Sequence, residues 1–191
     1  MKDLTYLITK IIDYRGKTPL KLGLNWNPNG EYIALSAKNV KTGKIINLEN
    51  TNKGDQILYD TWMKDEIEKE DIIITSEAPF GEVFFWNSDE KIILSQRLFC
   101  IRPNKAIINP RYMYYAMCSK NFQAQLYSKS TGSTVTGLRQ PALLSCQIPV
   151  PSFQDQQHIV NTISFVLISL LLFLLIVCFL RISLIILEIT F

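Results

Sequence analysis

The sequence predicts an α+β fold: a mixed domain of short strands, hairpins and helices, followed by the start of a long helix. Over residues 1–105, short apolar runs alternate with Gly, Asn and Asp, which is typical of strands and turns. From Asn109 onward, capping residues and apolar spacing favour helices. The composition then changes abruptly at Ser164. We therefore expect a domain over 1–151, the start of a helix over 152–163 and an atypical apolar tail over 164–191.

The first part of the chain is predicted to be mainly strands, because β-branched and aromatic residues run between turn-forming residues. The predicted strands are residues 31–35, 45–48, 71–75, 82–86 and 91–102. The turn at 41–44 leads into the second of these strands, and the last two are predicted to pair as a hairpin through 87–90. Asp60 is expected to cap a short helix that continues through Trp62 to Ile67.

The later elements are predicted to be helices with recognisable caps. Asn109 precedes Pro110, a favoured pair at a helix start, and an apolar face continues through Tyr127. A short helix is expected over 140–145, before the alternating prolines of 148–151 force an extended segment. Ser152 followed by Asp155 resembles a capping box and predicts the start of the last helix.

The sequence contains few groups that suit catalysis or metal binding. The net charge is only +3, the four cysteines lie far apart, and there is no signal peptide, so we expect free thiols and a cytoplasmic protein. The one histidine, His158, has no nucleophile paired with it by any motif. Nucleotide-binding and zinc-protease motifs are missing as well. We therefore expect no catalytic residue, cofactor or metal, and a binding function rather than an enzyme.

Several loops combine cations, hydroxyl groups and glycine. They span residues 14–19, 36–44, 95–97 and 129–139. Lys and Arg supply charge for a phosphate backbone, while hydroxyl and backbone N–H groups supply short donors, and Asn, Gln and Arg can read base edges. Composition alone also fits ordinary polar surface loops.

The order and spacing of these loop motifs resemble a known family. The chain is similar to the target-recognition domain of type I restriction-modification DNA specificity subunits over roughly 150 residues. The motifs that carry the resemblance are Tyr-Arg-Gly-Lys-Thr-Pro at 14–19, Ser-Ala-Lys-Asn-Val at 36–40, Asp-Ile-Ile-Ile-Thr at 71–75, Gly-Glu-Val at 81–83, Ser-Gln-Arg-Leu at 95–98 and Thr-Gly-Ser-Thr-Val at 131–135. The segment 148–160, with Pro-Val-Pro before a Gln-Gln-His helix start, is the most specific of them.

The resemblance implies a non-catalytic domain that lies on double-stranded DNA through its loops. In this family two such domains are joined by helices that form an antiparallel coiled coil, and each domain recognises one half of a split target. The helices dock methyltransferase (modification) subunits, and restriction subunits with motor activity join for cleavage. The specificity subunit itself binds neither S-adenosylmethionine nor ATP. A chain with one recognition domain would then pair with a second specificity half.

The matched motifs nominate candidate DNA-binding residues. They are Arg15, Lys17, Lys38, Asn39 and Arg97, with Ser133, Thr134 and Arg139 in or beside the hydroxyl-rich loop. Motifs shared across different DNA targets also serve the scaffold, so base-reading residues are expected in the more idiosyncratic segments 25–29 or 50–56.

The tail departs from the family pattern, which continues this helix with charged heptads. Residues 164–191 contain one Arg, Arg181, and one Glu, Glu188, and 19 of these 28 residues are Leu, Ile or Phe. One interpretation is a membrane segment, although Arg181 interrupts the apolar run. The other interpretation is a frameshift in an A/T-rich gene, and we favour it. The chain would then be a truncated product. The tail leaves a membrane-anchored interaction protein as one alternative function. The sequence around Asp89 and Lys91 leaves a second, a stand-alone metal-dependent nuclease that would use carboxylates and a lysine around a metal ion.

Overall fold

The β-branched runs of the sequence form short strands in the structure, a computed structural model that describes residues 1–132 and 136–190, with side chains through Cys178 and at Arg181. Its contacts divide the chain into two units, Met1–Pro151 and Ser152–Phe191. The strands of the first unit are β1 Lys2–Asp3, β2 Ile8–Asp13, β3 Tyr32–Leu35, β4 Val40–Lys41, β5 Lys44–Ile45, β6 Lys53–Gly54, β7 Ile72–Thr75, β8 Val83–Phe85, β9 Ile93–Leu94, β10 Leu98–Pro103 and β11 Gln147–Ile148. Its helices are α1 Gln56–Trp62, α2 Pro110–Cys118, α3 Lys120–Lys129 and α4 Gln140–Leu144.

Two sheets form the centre of the first unit. One is antiparallel, with the strand order β2-β10-β7-β8. The other has the order β6-β3-β9, in which β3 is antiparallel to β6 and parallel to β9. Strands β4 and β5 form a hairpin, and β1 pairs with β11. The predicted α+β class is therefore confirmed, as are the strands at 31–35 and 71–75 and the turn at 41–44.

The predicted hairpin between 82–86 and 91–102 is wrong. Strand β8 pairs with β7, and the second segment splits into β9 and β10, which join different sheets. The split occurs at Arg97, whose φ of 65° turns the chain out of the extended conformation. All four residues of β7 are buried, so β7 is a central strand that needs a partner on each side, and β8 and β10 fill those two positions.

Two helix predictions also need correction. Asp55, not Asp60, caps α1, because its carboxylate accepts a hydrogen bond from the Leu58 N–H at 2.9 Å, and the helix ends at Trp62. The helix that begins after Asn109 is interrupted at Ser119, whose hydroxyl caps a new helix by accepting the Phe122 N–H at 3.3 Å. A Ser side chain competes with the helical bonds in this way and is favoured at a cap.

The core of the first unit contains large side chains from both sheets and α1. Trp62 is fully buried, and its indole N–H donates to the Leu94 carbonyl at 3.0 Å. The carboxylate of Asp71 is also buried, and the partly buried Arg102 donates to both of its oxygens, at 3.0 and 2.9 Å. A buried charge needs such pairing, so the two residues tie β10 to the start of β7.

The second unit is the helix α5, Phe153–Thr190. Its start is capped by Ser152, whose hydroxyl accepts the Asp155 N–H at 3.1 Å, as predicted. The helix continues without a break through Ser164, and the described apolar side chains from Phe165 to Val177 are exposed. Residues Phe153–Cys178 are long and apolar enough to cross a membrane, judged by length and composition alone.

Candidate nucleic-acid interface

A polar cleft of about 320 Å³ opens where three of the cationic loop motifs meet. The first motif contributes Thr18 and Pro19, the second Ser36 to Lys38, and the third Ser95 to Arg97. The remaining lining residues come from other segments: Trp26, Ala34, Asn52 and Ala78. Segments separated by up to 79 positions in the chain, from Thr18 to Arg97, are therefore neighbours in space.

The parallel pair β3 and β9 explains why the second and third motifs lie side by side. Leu35 is in register with Leu94, so both strands end at the same edge and both loops emerge there. Backbone bonds then join the loops: the Ser95 N–H donates to the Leu35 carbonyl at 2.7 Å, and the Ala37 N–H to the Gln96 carbonyl at 3.2 Å. The carboxyl ends of parallel strands are a common place for a binding crevice.

Lys38 and Arg97 supply the positive charge of the cleft. Lys38 is exposed and makes no hydrogen bond or ion pair with any residue that the structure describes. Arg97 is 51% exposed, and its Nε lies 3.3 Å from a carboxylate oxygen of Glu77. An ion pair this exposed adds little stability, so the guanidinium remains available to an anionic ligand.

Asn39 follows Lys38 in sequence but is fully buried. Its amide oxygen accepts bonds from the Ser36 N–H and hydroxyl, at 3.2 and 2.9 Å. Its amide nitrogen donates to the carbonyls of Ile46 and Asn47, each at 3.2 Å. The side chain of Asn39 therefore fixes the shape of the loop that presents Lys38.

Arg15 has partners inside the domain. Its guanidinium donates to both carboxylate oxygens of Asp13 at 2.8 Å and to the Leu138 carbonyl at 2.8 Å. It also lies 3.8 Å above the centre of the Phe99 ring, in the geometry of a cation–π contact. Arg15 thereby connects β2, β10 and the segment before α4.

Lys17 is held in a similar way. Its ammonium donates to the Trp62 carbonyl at 2.8 Å, at the end of α1, and lies 4.2 Å from the centre of the Tyr14 ring. Partial burial and the neighbouring Lys64 lower the pKa of Lys17 below its usual value.

The hydroxyl-rich loop is closed at its base beside the cleft. Thr131 and Gly137 exchange backbone hydrogen bonds of 3.0 and 2.9 Å, and the Leu138 N–H donates to the Ser76 carbonyl at 2.9 Å. Ser76 precedes Glu77, the partner of Arg97. Arg139 is exposed, and its guanidinium has no partner within 1–132 and 136–190. Ser133 and Thr134 lie outside the described residues.

Motif matching did not nominate Trp26, Asn52 or Gln96, although all three line the cleft. Trp26 and Asn52 do lie in the two idiosyncratic segments expected to contain base-reading residues. Gln96 lies inside a matched motif but carries no charge. The sequence did not indicate that Asn52 and Gln96 line the same cleft, because their proximity depends on the pairing of β3 with both β6 and β9.

Comparison with known proteins places the chain in a class of DNA-recognition domains. Residues 7–169 match the family model described as the type I restriction modification DNA specificity domain. This match covers most of the 191 residues, and the chain therefore belongs to that family. The matched region also includes the first residues beyond Ser164.

One curated relative is the type I restriction enzyme MjaIX specificity subunit of Methanocaldococcus jannaschii, with 31% identity over 94 residues. The match covers 49% of this chain and 21% of that subunit. The fold resembles the type I restriction-modification S subunit of M. genitalium, with a TM-score of 0.57, 17% identity and coverage of 86% of this chain and 37% of that one. It also resembles the HsdS subunit of Thermoanaerobacter tengcongensis, with a TM-score of 0.61, 16% identity and coverage of 88% and 42%.

Proposed function

We propose that this chain recognises one half of a DNA target through the cleft at the ends of β3 and β9. The observation that carries the proposal is the convergence of three separate loop motifs on this one cleft, with Lys38 and Arg97 exposed along it. The family to which the chain belongs supports double-stranded DNA as the ligand.

Within this function the nominated residues have two different roles. Lys38, Arg97 and Arg139 contact the DNA backbone, because their cationic groups are exposed. Arg15, Lys17 and Asn39 hold the contacting loops in place through their internal hydrogen bonds. Ser133 and Thr134 stay predicted DNA contacts in the hydroxyl-rich loop.

The chain spans between about a fifth and two fifths of the lengths of the relatives it matches, so the work of a whole specificity subunit goes beyond this domain. We propose that the domain selects the site at which partner methyltransferase and restriction subunits act, and that it contributes no catalytic group. A second specificity half would supply the other part of the target. This role belongs in the cytoplasm, where the DNA is.

The alternatives receive less support. A stand-alone nuclease needs a metal site, and no group of three or more His, Cys, Asp or Glu residues in the described part of the chain could hold a metal ion. Asp89 and Lys91, the suspected pair, instead face Lys69 at 3.9 Å and Glu66 at 2.9 Å respectively. A membrane-anchored protein would rely on α5 alone.

The direct test is the salt dependence of DNA binding by the full chain, purified in mild detergent because α5 is apolar. We expect fluorescence anisotropy with a 30-bp duplex to show binding that weakens as salt rises. Each phosphate contact contributes about 0.9 to the slope of log affinity against log salt. Replacing both Lys38 and Arg97 by Ala should therefore lower that slope by about 2.

A matched control replaces both Lys69 and Lys105 by Ala, two exposed cations that are paired with Asp89 and Glu70 and are absent from the cleft lining. This variant should keep the wild-type slope. An equal change of slope in the control and the cleft variant would show that general charge, not the cleft, governs binding. A wild-type chain that binds no duplex would overturn the proposal.

A further inference from the structure

We propose that Asn52 and Gln96 read the edge of one base pair in the DNA target, and that this pair is A·T. The inference rests on the proposed function of the cleft as a DNA-binding site. Both side chains are exposed on the cleft lining, and neither amide has a hydrogen-bond partner among the residues that the structure describes. Their donors and acceptors are thus free to meet a ligand.

The backbones of the two residues are fixed by the same short segment. The Asn52 carbonyl accepts the Ala34 N–H at 2.9 Å, and the Gln96 carbonyl accepts the Ala37 N–H at 3.2 Å. The preceding Ser95 is anchored as well, since its N–H donates to the Leu35 carbonyl at 2.7 Å. Both amides are therefore presented from a rigid base, which specific recognition requires.

Three other glutamines in the first unit, Gln56, Gln123 and Gln125, differ in this respect. The Gln56 amide donates to Asp60 at 2.8 Å, and Gln123 donates to the Gly81 and Met117 carbonyls, each at 3.0 Å. Gln125 donates to the Gln147 carbonyl at 2.9 Å. These amides already make bonds within the domain, whereas those of Asn52 and Gln96 make none within residues 1–132 and 136–190.

The chemistry of a primary amide selects the base. An amide offers one acceptor and two donors side by side, and adenine presents the matching N6 donor and N7 acceptor in the major groove. Guanine presents two acceptors there and is better matched by a free Arg or Lys. Arg97 is the nearest candidate for guanine, but in the proposed function its exposed guanidinium contacts the DNA backbone. Lys38 suits a phosphate. A contact between Lys38 and the DNA backbone would position the two amides opposite the base pair.

The test is selection of duplexes with a randomised 20-bp core by the full chain in detergent, followed by sequencing. Wild-type protein should enrich a motif that contains an A·T pair. Asn52→Ala and Gln96→Ala should reduce the preference at that one position by roughly tenfold or more, and leave the other positions and the salt slope unchanged. Asn87→Ala, which truncates an exposed amide that lies off the cleft lining and has no hydrogen-bond partner in the described part of the chain, should select the wild-type motif.

The outcomes separate this inference from the proposed function. A wild-type chain that enriches no sequence overturns the proposed function itself. A wild-type motif that both variants retain in full, or variants that change only a G·C position, overturns the assignment of the amides while the DNA-binding function stands. A uniform loss across all sequences also overturns it, and thermal unfolding curves then show whether the variants lost stability.

Discussion

The loops that begin at Tyr14 and Ser36 both carry cationic side chains from the matched motifs. Those side chains have internal partners in the first loop and, among residues 1–132 and 136–190, none in the second. In the first loop Arg15 and Lys17 donate to carbonyls at 2.8 Å and lie against aromatic rings. In the second loop Lys38 has no partner in the described part of the chain. A positive residue in a shared motif is therefore not evidence of DNA contact by itself, and we propose that internal hydrogen bonds mark the positions that serve the scaffold.

The comparison predicts that scaffold and interface positions respond differently to truncation. Variants of the scaffold group should lose folding stability. Variants of the cleft group should lose DNA binding at nearly unchanged stability.

The largest effect is expected for Arg15→Ala. The change removes the paired bonds to Asp13, the bond to Leu138 and the contact with Phe99, and it leaves the half-buried Asp13 carboxylate unpaired. We expect a loss of about 3 kcal/mol in the free energy of unfolding, measured by denaturant titration. Arg139→Ala, which loses no side-chain partner within residues 1–132 and 136–190, should change it by less than about 0.5 kcal/mol. Equal losses in the two variants would contradict the division.

A second scaffold test is Asn39→Ala. The buried amide bonds to Ser36, Ile46 and Asn47, and truncation leaves those groups without partners. The expected loss is about 2 kcal/mol, again from denaturant titration. Asn52→Ala is the matched amide control and should stay within about 0.5 kcal/mol of wild type. Should Asn52→Ala prove as destabilising, Asn52 would belong to the scaffold.

Arg97 allows stability and binding to be changed in opposite directions. Its φ of 65° is much more favourable for glycine than for arginine, so Arg97→Gly should raise the free energy of unfolding by about 1 kcal/mol. The same change removes a cleft cation and should weaken DNA binding. Arg97→Ala is the control, because it removes the charge but keeps a Cβ in the strained conformation. If glycine lowers stability, the contact with Glu77 matters more than the backbone.

The smallest effect concerns pH. Burial raises the pKa of Glu82, but hydrogen bonds from the Thr42 hydroxyl and N–H, each at 2.7 Å, and from Lys41 outweigh it, so the net pKa is lowered. A lowered pKa stabilises the fold above the unfolded-state value near 4.5, and this contribution is lost as the pH falls through the folded-state value. Thr42→Val should therefore destabilise the protein by less than about 1 kcal/mol at pH 6.

At about pH 3 the difference in the free energy of unfolding between wild type and Thr42→Val should shrink. A protonated Glu82 accepts a weaker hydrogen bond from Thr42 than the carboxylate does. Denaturant titrations at the two pH values measure this change. A difference that grows on acidification would mean that Thr42 acts on another group.

The sequence predicted the parts of the fold that depend on local chemistry. Ser152 and Asn109 act as caps, and 71–75 is a buried strand, because these features need only a few adjacent residues. The hairpin of 82–86 with 91–102 was wrong because β8 has a better partner in the distant strand β7. Pairing between distant strands depends on competition for the core, which a local pattern does not contain.

The candidate site shows the same limit. Lys38 and Arg97 belong to motifs that the resemblance singled out, and the cleft contains both. The sequence did not predict the burial of Asn39 or the internal bonds of Arg15. The residue type alone does not tell whether an Asn or Arg in a loop bonds within the domain or faces solvent. Asn52 lines the cleft because its backbone carbonyl accepts a hydrogen bond from Ala34 of β3.

The backbone bonds that join the two loops at the ends of β3 and β9 have a consequence for engineering. Because main-chain groups hold the rim together, we expect that the side chains at 38, 52 and 96 can be exchanged without disturbing its shape, whereas the φ of 65° at 97 restricts the choice there. A combinatorial library limited to these three positions, on an otherwise unchanged chain, would be a compact starting point for retargeting the domain to new sequences.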